Sequence, residues 1–305
     1  MTLPESFRRT IMNVHGEQGE KWLDGFDELV RYCEAEWKLR VVHPYDLTFN
    51  YVAAVKLDDG TEGALKLCVP HKESRSEEQA LRLYDGRGAV RVIASEPDRG
   101  ILLMESVKPG YTLHTVQDDT EAMLAAAQVM KRLWRPAPDA AHAFPTVAGW
   151  TGGLKRLRRA FNGGTGPLPE RLVEVAENTF EHLLATAGEP LLLHGDLHHG
   201  NLLAGEREPW IAIDPKGVVG EAEYEVCALL TNHLPVNGQI HVLRNRVNVL
   251  ASALELDRTR ILKWAMSFGV LSAFWCVEDG VGDPMLSIGR AELFERLLKE
   301  SISQP

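Results

Sequence analysis

Residues Leu191 to Pro215 read L-L-L-H-G-D-L-H-H-G-N-L-L-A-G-E-R-E-P-W-I-A-I-D-P. They hold His194-Gly195-Asp196, then Asn201, then Asp214 at the end of a second apolar run. Leu202-Leu203 and Trp210-Ile211-Ala212-Ile213 have the composition of two short strands, joined by the turn-rich Gly205-Glu206-Arg207-Glu208-Pro209. Pairing these strands returns Asp214 to the side of Asn201. A carboxylate and an amide oxygen held together are hard ligands of the kind that fix Mg²⁺ against nucleotide phosphates. Asp196, at the head of the same loop, is placed to take the proton of a substrate hydroxyl. The order His-x-Asp, four residues, Asn, hairpin, Asp is therefore the order of a phosphoryl-transfer site.

Simpler readings exist for each residue alone. An Asp after Gly is commonly a turn residue, and an Asn before two leucines a strand-start cap. Neither explains the joint spacing. His194, His198, His199, Asp196 and Asp214 are also potential zinc ligands, but the histidines form neither H-E-x-x-H nor another zinc signature. His194 reads as a packed, hydrogen-bonded support for the loop rather than a proton carrier.

Upstream, residues 1–35 form a helical lead-in, with Trp22, Phe26, Leu29, Val30 and Cys33 at helical spacing. Strand patterns follow from Trp37 to Val41, from Tyr51 to Leu57 and from Gly63 to Leu67, the last two joined by Asp58-Asp59-Gly60. The turn Tyr45-Asp46-Leu47-Thr48-Phe49-Asn50, in the position that would cover phosphates, contains no glycine. Lys66 stands inside an apolar strand, where a charge needs a partner. It reads as the lysine that contacts nucleotide phosphates, or as an edge lysine in solvent. Glu77, in the helix opened by Ser74-Arg75-Ser76, is its expected partner, and Glu78 the alternative. Ser74 and Glu77 also match a capping box. Val90 to Ala94 and Ile101 to Glu105 complete a five-stranded sheet around Glu96-Pro97-Asp98-Arg99-Gly100. The linker Ser106-Val107-Lys108-Pro109-Gly110 would then set an adenine ring against backbone groups of Glu105 and Val107.

Beyond the linker the pattern is helical: Glu121 to Trp134, Val147 to Phe161, a helix opened by Pro169, Tyr224 to Leu230, a helix capped by Asp257, and a last helix from Asp283-Pro284. The basic run Lys155-Arg156-Leu157-Arg158-Arg159 reads as a solvated helix face. The expected architecture is α+β. A small antiparallel-sheet lobe spans residues 1–106, and a mainly helical lobe spans 107–305.

Composition fits an ordinary globular protein, with 305 residues, 45% hydrophobic and 25% charged. A formal net charge of -10 argues against a nucleic-acid binder and is compatible with a cationic substrate. Cys33, Cys68, Cys227 and Cys276 are scattered, without metal or redox spacing, and read as reduced thiols of a cytoplasmic protein. The N-terminus lacks a basic start followed by an apolar stretch, and no apolar run reads as a membrane span. A monomer or homodimer is expected.

The chain resembles the aminoglycoside and hydroxyurea antibiotic-resistance kinases of the aminoglycoside phosphotransferase superfamily, and looks most like streptomycin 6-phosphotransferases. The resemblance is carried by Tyr84-Asp85-Gly86-Arg87-Gly88-Ala89-Val90-Arg91, by His194 to Asn201, by Ile213-Asp214-Pro215-Lys216-Gly217-Val218-Val219-Gly220-Glu221, and by Leu271 to Trp275 with Glu278-Asp279-Gly280. It implies a two-lobed protein-kinase-like fold, ATP as donor, Mg²⁺, and a small-molecule hydroxyl as acceptor. It makes Asp196 the catalytic base, Asn201 and Asp214 the metal ligands, and Lys66 with Glu77 the phosphate-orienting pair. If the acceptor is a polycation such as streptomycin, Glu221, Glu223, Glu278 and Asp279 are candidates to bind its guanidinium or ammonium groups.

Overall fold

The computed structural model describes residues 3–139 and 144–302. Two helices open the chain, α1 (Glu5–Asp24) and α2 (Phe26–Glu36). Their apolar faces carry Phe7, Ile11, Trp22, Phe26, Val30 and Cys33, all buried. These side chains cover one face of a five-stranded antiparallel sheet. Its strands are β1 (Leu39–Pro44), β2 (Tyr51–Leu57), β3 (Glu62–Leu67), β4 (Val92–Glu96) and β5 (Ile101–Glu105), in the order β1-β2-β3-β5-β4. Side chains alternate across a strand. Leu65 and Leu67 therefore join the cluster under the lead-in helices, together with Tyr51, Ile101 and Leu103. Lys66, between the two leucines, points to the other face.

That second face is covered by α3 (Lys72–Tyr84), which connects β3 to β4. The helix starts before Ser74. His71 is its cap, and the capping box pairs His71 with Ser74 rather than Ser74 with Glu77. Glu77 is thereby left free for other work. Two strands also start later than their sequence pattern: Trp37 closes α2 and β1 begins at Leu39, while β4 begins at Val92. Val90 instead donates its N–H to Ala212 O at 2.9 Å, and Ala212 donates to Gly88 O at 2.8 Å.

The second region begins with β6 (Pro109–Thr112) and α4 (Asp119–Leu133). It continues through β7 (Arg135–Pro136), α5 (Val147–Thr151), α6 (Gly153–Ala160) and α7 (Glu170–Ala185). Four short strands follow: β8 (Leu191–Leu193), β9 (Leu202–Gly205), β10 (Trp210–Ala212) and β11 (Val218–Gly220). With β6 and β7 they form two three-stranded sheets, β10-β9-β6 and β11-β8-β7. The chain ends in α8 (Ala222–Thr231), α9 (Gln239–Leu254), α10 (Arg258–Asp279) and α11 (Pro284–Ile302).

Helix α10 is the axis of this region and packs against α6, α7, α8, α9 and α11. With 22 residues, including an 18-residue stretch of mean hydropathy 1.3, it is long and apolar enough to cross a membrane, which the sequence reading did not register. Its apolar side chains, among them Ile261, Trp264, Val270, Leu271 and Phe274, lie in the larger hydrophobic core, as the central helix of a folded lobe requires. The same core reaches across to Ala80, Leu81 and Tyr84 of α3 and to Leu102 and Met104 of β5.

Candidate active site

The site lies where the buried-lysine face of the sheet meets the loop after β8. That loop, 194–201, is held from beneath by three sets of bonds. Glu225 of α8 accepts the N–H of His194 at 2.7 Å and of Gly195 at 2.9 Å. His194 O accepts the N–H groups of Lys216 and Gly217 at 2.8 and 3.2 Å. The His194 ring then defines its own tautomer. Nδ1 accepts the N–H of Asp196 at 3.2 Å, and Nε2–H donates to Ile213 O at 2.9 Å. Complete burial holds this imidazole down at about 4, so it is neutral and cannot serve as a proton carrier at ordinary pH.

The hairpin closes as its sequence requires. Ala212 pairs with Leu202, and Ile213 N–H donates to Asn201 O at 3.0 Å. This places Asp214 beside Asn201, with Asp214 in the left-handed region at φ 60. Asn201 donates from Nδ2 to Asp196 O at 2.9 Å, which leaves its amide oxygen as the free end. A hard oxygen from Asn201 and the carboxylate of Asp214 thus stand together, a donor set suited to Mg²⁺ completed by phosphate and water oxygens.

Lys66 is 6% exposed and lies between two carboxylates. Its Nζ is 2.7 Å from both Glu77 oxygens, and it also bonds Asp214. Burial works against the ammonium charge, but Glu77 and Asp214 outweigh it and raise its pKa. Asp214 moves the opposite way, held well below the carboxylate range despite burial by Lys66 and Lys216. Glu78, the alternative partner, instead bonds Arg82 and accepts from Ser95 Oγ at 2.7 Å. Asp196 presents its carboxylate toward the same cleft, with its side chain 37% exposed and His198 Nε2 4.0 Å away. Burial raises its pKa, against His198 and Lys216.

The other expected residues fare unequally. Glu105 ends β5, but its N–H donates to Arg91 O at 3.0 Å, and its carboxylate accepts from Arg91 N–H and from Arg207. The donor half of an adenine contact there is therefore engaged. Val107 follows in the linker, partly buried against the larger core. Glu221 must be withdrawn as an acceptor ligand. It is 7% exposed, bonded to Arg260 Nε at 2.7 Å and to Trp264 Nε1, and so serves as a structural anchor between α8 and α10. Glu223 sits two residues on, in the same neighbourhood of Glu221 and Arg260. Glu278 is held in a two-pronged pair by Arg156 at 2.7 and 2.8 Å, and Asp279 ends α10 in solvent.

Two residues escaped the sequence reading. Glu225 was visible as an acid inside the apolar run Tyr224 to Leu230. Lys216 was visible only as a lysine after Asp-Pro. The zinc reading finds no support: His194 is engaged with backbone, His198 Nδ1 accepts Gly200 N–H at 3.0 Å, and His199 stacks among His114 and His233. No metal-binding group of three or more His, Cys, Asp or Glu occurs among the described residues.

Comparison with known proteins gives the family and the fold. The profile of the aminoglycoside/hydroxyurea antibiotic resistance kinases matches residues 38–280. The chain belongs to this family. It is 31% identical to the streptomycin 6-kinase of Streptomyces glaucescens over 91% of this chain and 92% of that one. It is 34% identical to the hydroxyurea phosphotransferase of Kitasatospora aureofaciens over 95% and 85%. Among solved structures, the fold matches an aminoglycoside phosphotransferase crystallised with ADP and hygromycin B. That match has TM-score 0.63 and 12% identity, covering 88% of this chain and 98% of that one. The choline kinase of Streptococcus pneumoniae matches at TM-score 0.61 and 14% identity, over 90% and 98%. The fold is thus protein-kinase-like, and this member of the resistance-kinase family is a phosphotransferase.

Proposed function

We propose that this kinase transfers the γ-phosphoryl group of ATP to a hydroxyl of streptomycin or a closely related aminoglycoside. The observation that carries the reading is the Lys66 ammonium group bonded to Glu77 and to Asp214, with Asp196 on the adjoining loop. Lys66, fixed by Glu77, orients the nucleotide phosphates. Asn201 and Asp214 would hold Mg²⁺, which neutralises charge on the β- and γ-phosphates when bound. Asp196 accepts the hydroxyl proton as the new oxygen–phosphorus bond forms and the bond to the β-phosphate oxygen breaks. His194 and Glu225 keep Asp196 in place without exchanging protons with the substrate. The linker carbonyls around Glu105, with Val107, meet the adenine. Asp279 and Glu223 are the acids that remain for a cationic acceptor; Glu278 would have to leave Arg156 to join them.

Streptomycin is favoured because two curated relatives that align over most of the chain are named streptomycin 6-kinases, at 31% and 30% identity. A second reading has its own support: the relative at 34% identity is a hydroxyurea phosphotransferase, so hydroxyurea is the alternative acceptor. The test is ATP turnover with Mg²⁺ against streptomycin, other aminoglycosides, hydroxyurea and simple amino alcohols, with product mass read alongside. Phosphorylated streptomycin made by the wild type and not by Asp196→Ala is the expected result. Phosphorylation of hydroxyurea alone would move the acceptor to the second reading, and absence of nucleotide binding would overturn both.

A further inference from the structure

Lys216 is a second ammonium group at the cleft of Lys66, and the scheme above gives it no task. It follows Asp214 and Pro215 directly, and its backbone is pinned from both sides. Its N–H donates to His194 O at 2.8 Å, and its carbonyl accepts Ser76 Oγ of α3 at 2.8 Å. A Cβ placed on Gly195 would lie 3.4 Å from Lys216 Cβ, so the side chain departs alongside the residue that precedes Asp196. It then lines the cleft it shares with Asn50, Lys66, Glu77 and Asp214. Its ammonium group stands 3.9 Å from Glu73 Oε2, and its side chain is 37% exposed, so the head is loosely held and open to the cleft. Burial opposes its charge, while Asp214, Glu73 and Asp196 favour it.

This placement lies between the two ends of the transfer. A phosphoryl group passing from a nucleotide anchored at Asp214 to a hydroxyl at Asp196 travels between those carboxylates. Lys216 is the cation adjoining both. A second observation says why a cation is needed there. The turn 45–50 has no glycine, and it carries Tyr45 and Phe49 with 46% and 51% exposure. Side chains there limit how closely backbone N–H groups can wrap a phosphate. Charge on the moving group must then be met from the opposite wall.

We propose that Lys216 is a further catalytic residue, whose ammonium group contacts the γ-phosphoryl group and balances the charge on its oxygens during transfer. It keeps its proton throughout; the hydroxyl proton goes to Asp196, and the electron pair of the broken bond leaves with ADP. This rests on the phosphoryl-transfer reading given above.

The experiment compares wild type, Lys216→Met and Lys216→Arg, each with Mg²⁺. Calorimetry measures binding of ADP and of a non-hydrolysable ATP analogue, and steady-state assays measure kcat with the acceptor found active. A contact to the γ-phosphoryl group predicts that Lys216→Met keeps ADP affinity within about twofold, because ADP lacks that group. The ATP analogue weakens by about tenfold or more, the scale of one charge-assisted hydrogen bond, and kcat falls by about 10²–10³-fold. Lys216→Arg recovers part of kcat. Equal loss of ADP and analogue affinity would make Lys216 a support of the cleft, and an unchanged kcat would leave it no catalytic role. Either result overturns the proposal while the wild type still turns over. A wild type that binds neither nucleotide would instead overturn phosphoryl transfer itself.

Discussion

Glu77 has one partner of consequence. Its carboxylate meets Lys66 through both oxygens, in a pocket where neither residue sees much water. Glu77→Ala would leave a buried ammonium facing Asp214 alone. We expect a stability loss of about 3–5 kcal/mol, the usual result of removing one member of a buried pair, read by urea unfolding, and a higher KM for ATP. A stability change below about 1 kcal/mol would mean the pair is not intact in solution. His199 supplies a pH signature. Burial, with Arg246, His114 and His233 beside it, holds its pKa down at about 4, against 6.5 for a free histidine. Between those values the unfolded chain binds a proton that the folded chain does not, so stability is lost as pH falls through this window. The stability of wild type minus His199→Gln should therefore grow from pH 4.5 to 6.5, by up to about 1.4 kcal/mol per unit, and level off above. A difference that does not vary with pH would show that the imidazole is solvated. That Lys66, Glu77 and Asp214 meet beside the loop of Asp196 and Asn201 was legible because the proposed chemistry needs particular side chains in a fixed order. Glu225 and Lys216 were not, because they act on backbone groups or across a fold, and such contacts leave no spacing to read.

At the scale of elements, α9 owes its place to a charge. Arg246, 1% exposed, binds Asp119 at the start of α4 through Nε and Nη2. Its other bonds go to the carbonyls of Leu229, Leu230, Asn232 and His233, where α8 ends. One guanidinium thus supplies donors to a helix end that has no intrahelical partners of its own. Arg246→Ala should cost about 3–5 kcal/mol, and Arg246→Lys should recover little, since an ammonium cannot span the same acceptors. Thermal melts of the two variants decide it; full recovery by lysine would mean that charge alone matters. The sequence reading did not find α9. Its cap is Gly238 at φ 72, with no side-chain cap bond, so no start signal is written there. Strands of two to four residues, such as β6, β7 and β11, are likewise too short to show alternation. The other long elements were readable, with ends displaced by a few residues where a turn or cap intervened, as at His71.

Across the whole molecule, the sheet region and the helical region meet at several places, one of them a seam of backbone bonds. Gly88 and Val90 exchange backbone bonds with Ala212, and Arg207 reaches from the β9–β10 turn to Gly86 O, Ala89 O and Glu105. The β9–β10 turn is therefore a clasp between the two regions. The amides of Val90 and Ala212 should exchange slowly with deuterium, and Arg207→Ala should speed both by tenfold or more, the scale of losing about 1.4 kcal/mol of local stability. Unaltered exchange would place the clasp elsewhere. Lys66 and Asp214 form another junction between the regions, at the cleft. This contact bears on the order in which the cleft fills. A divalent cation arriving alone must draw Asp214 away from an ammonium group that then faces Glu77 with one anion fewer. Under the proposed function, a triphosphate would bring new anions to Lys66 while its metal took up Asp214. The junction would accordingly favour metal and nucleotide arriving as one complex over either arriving by itself.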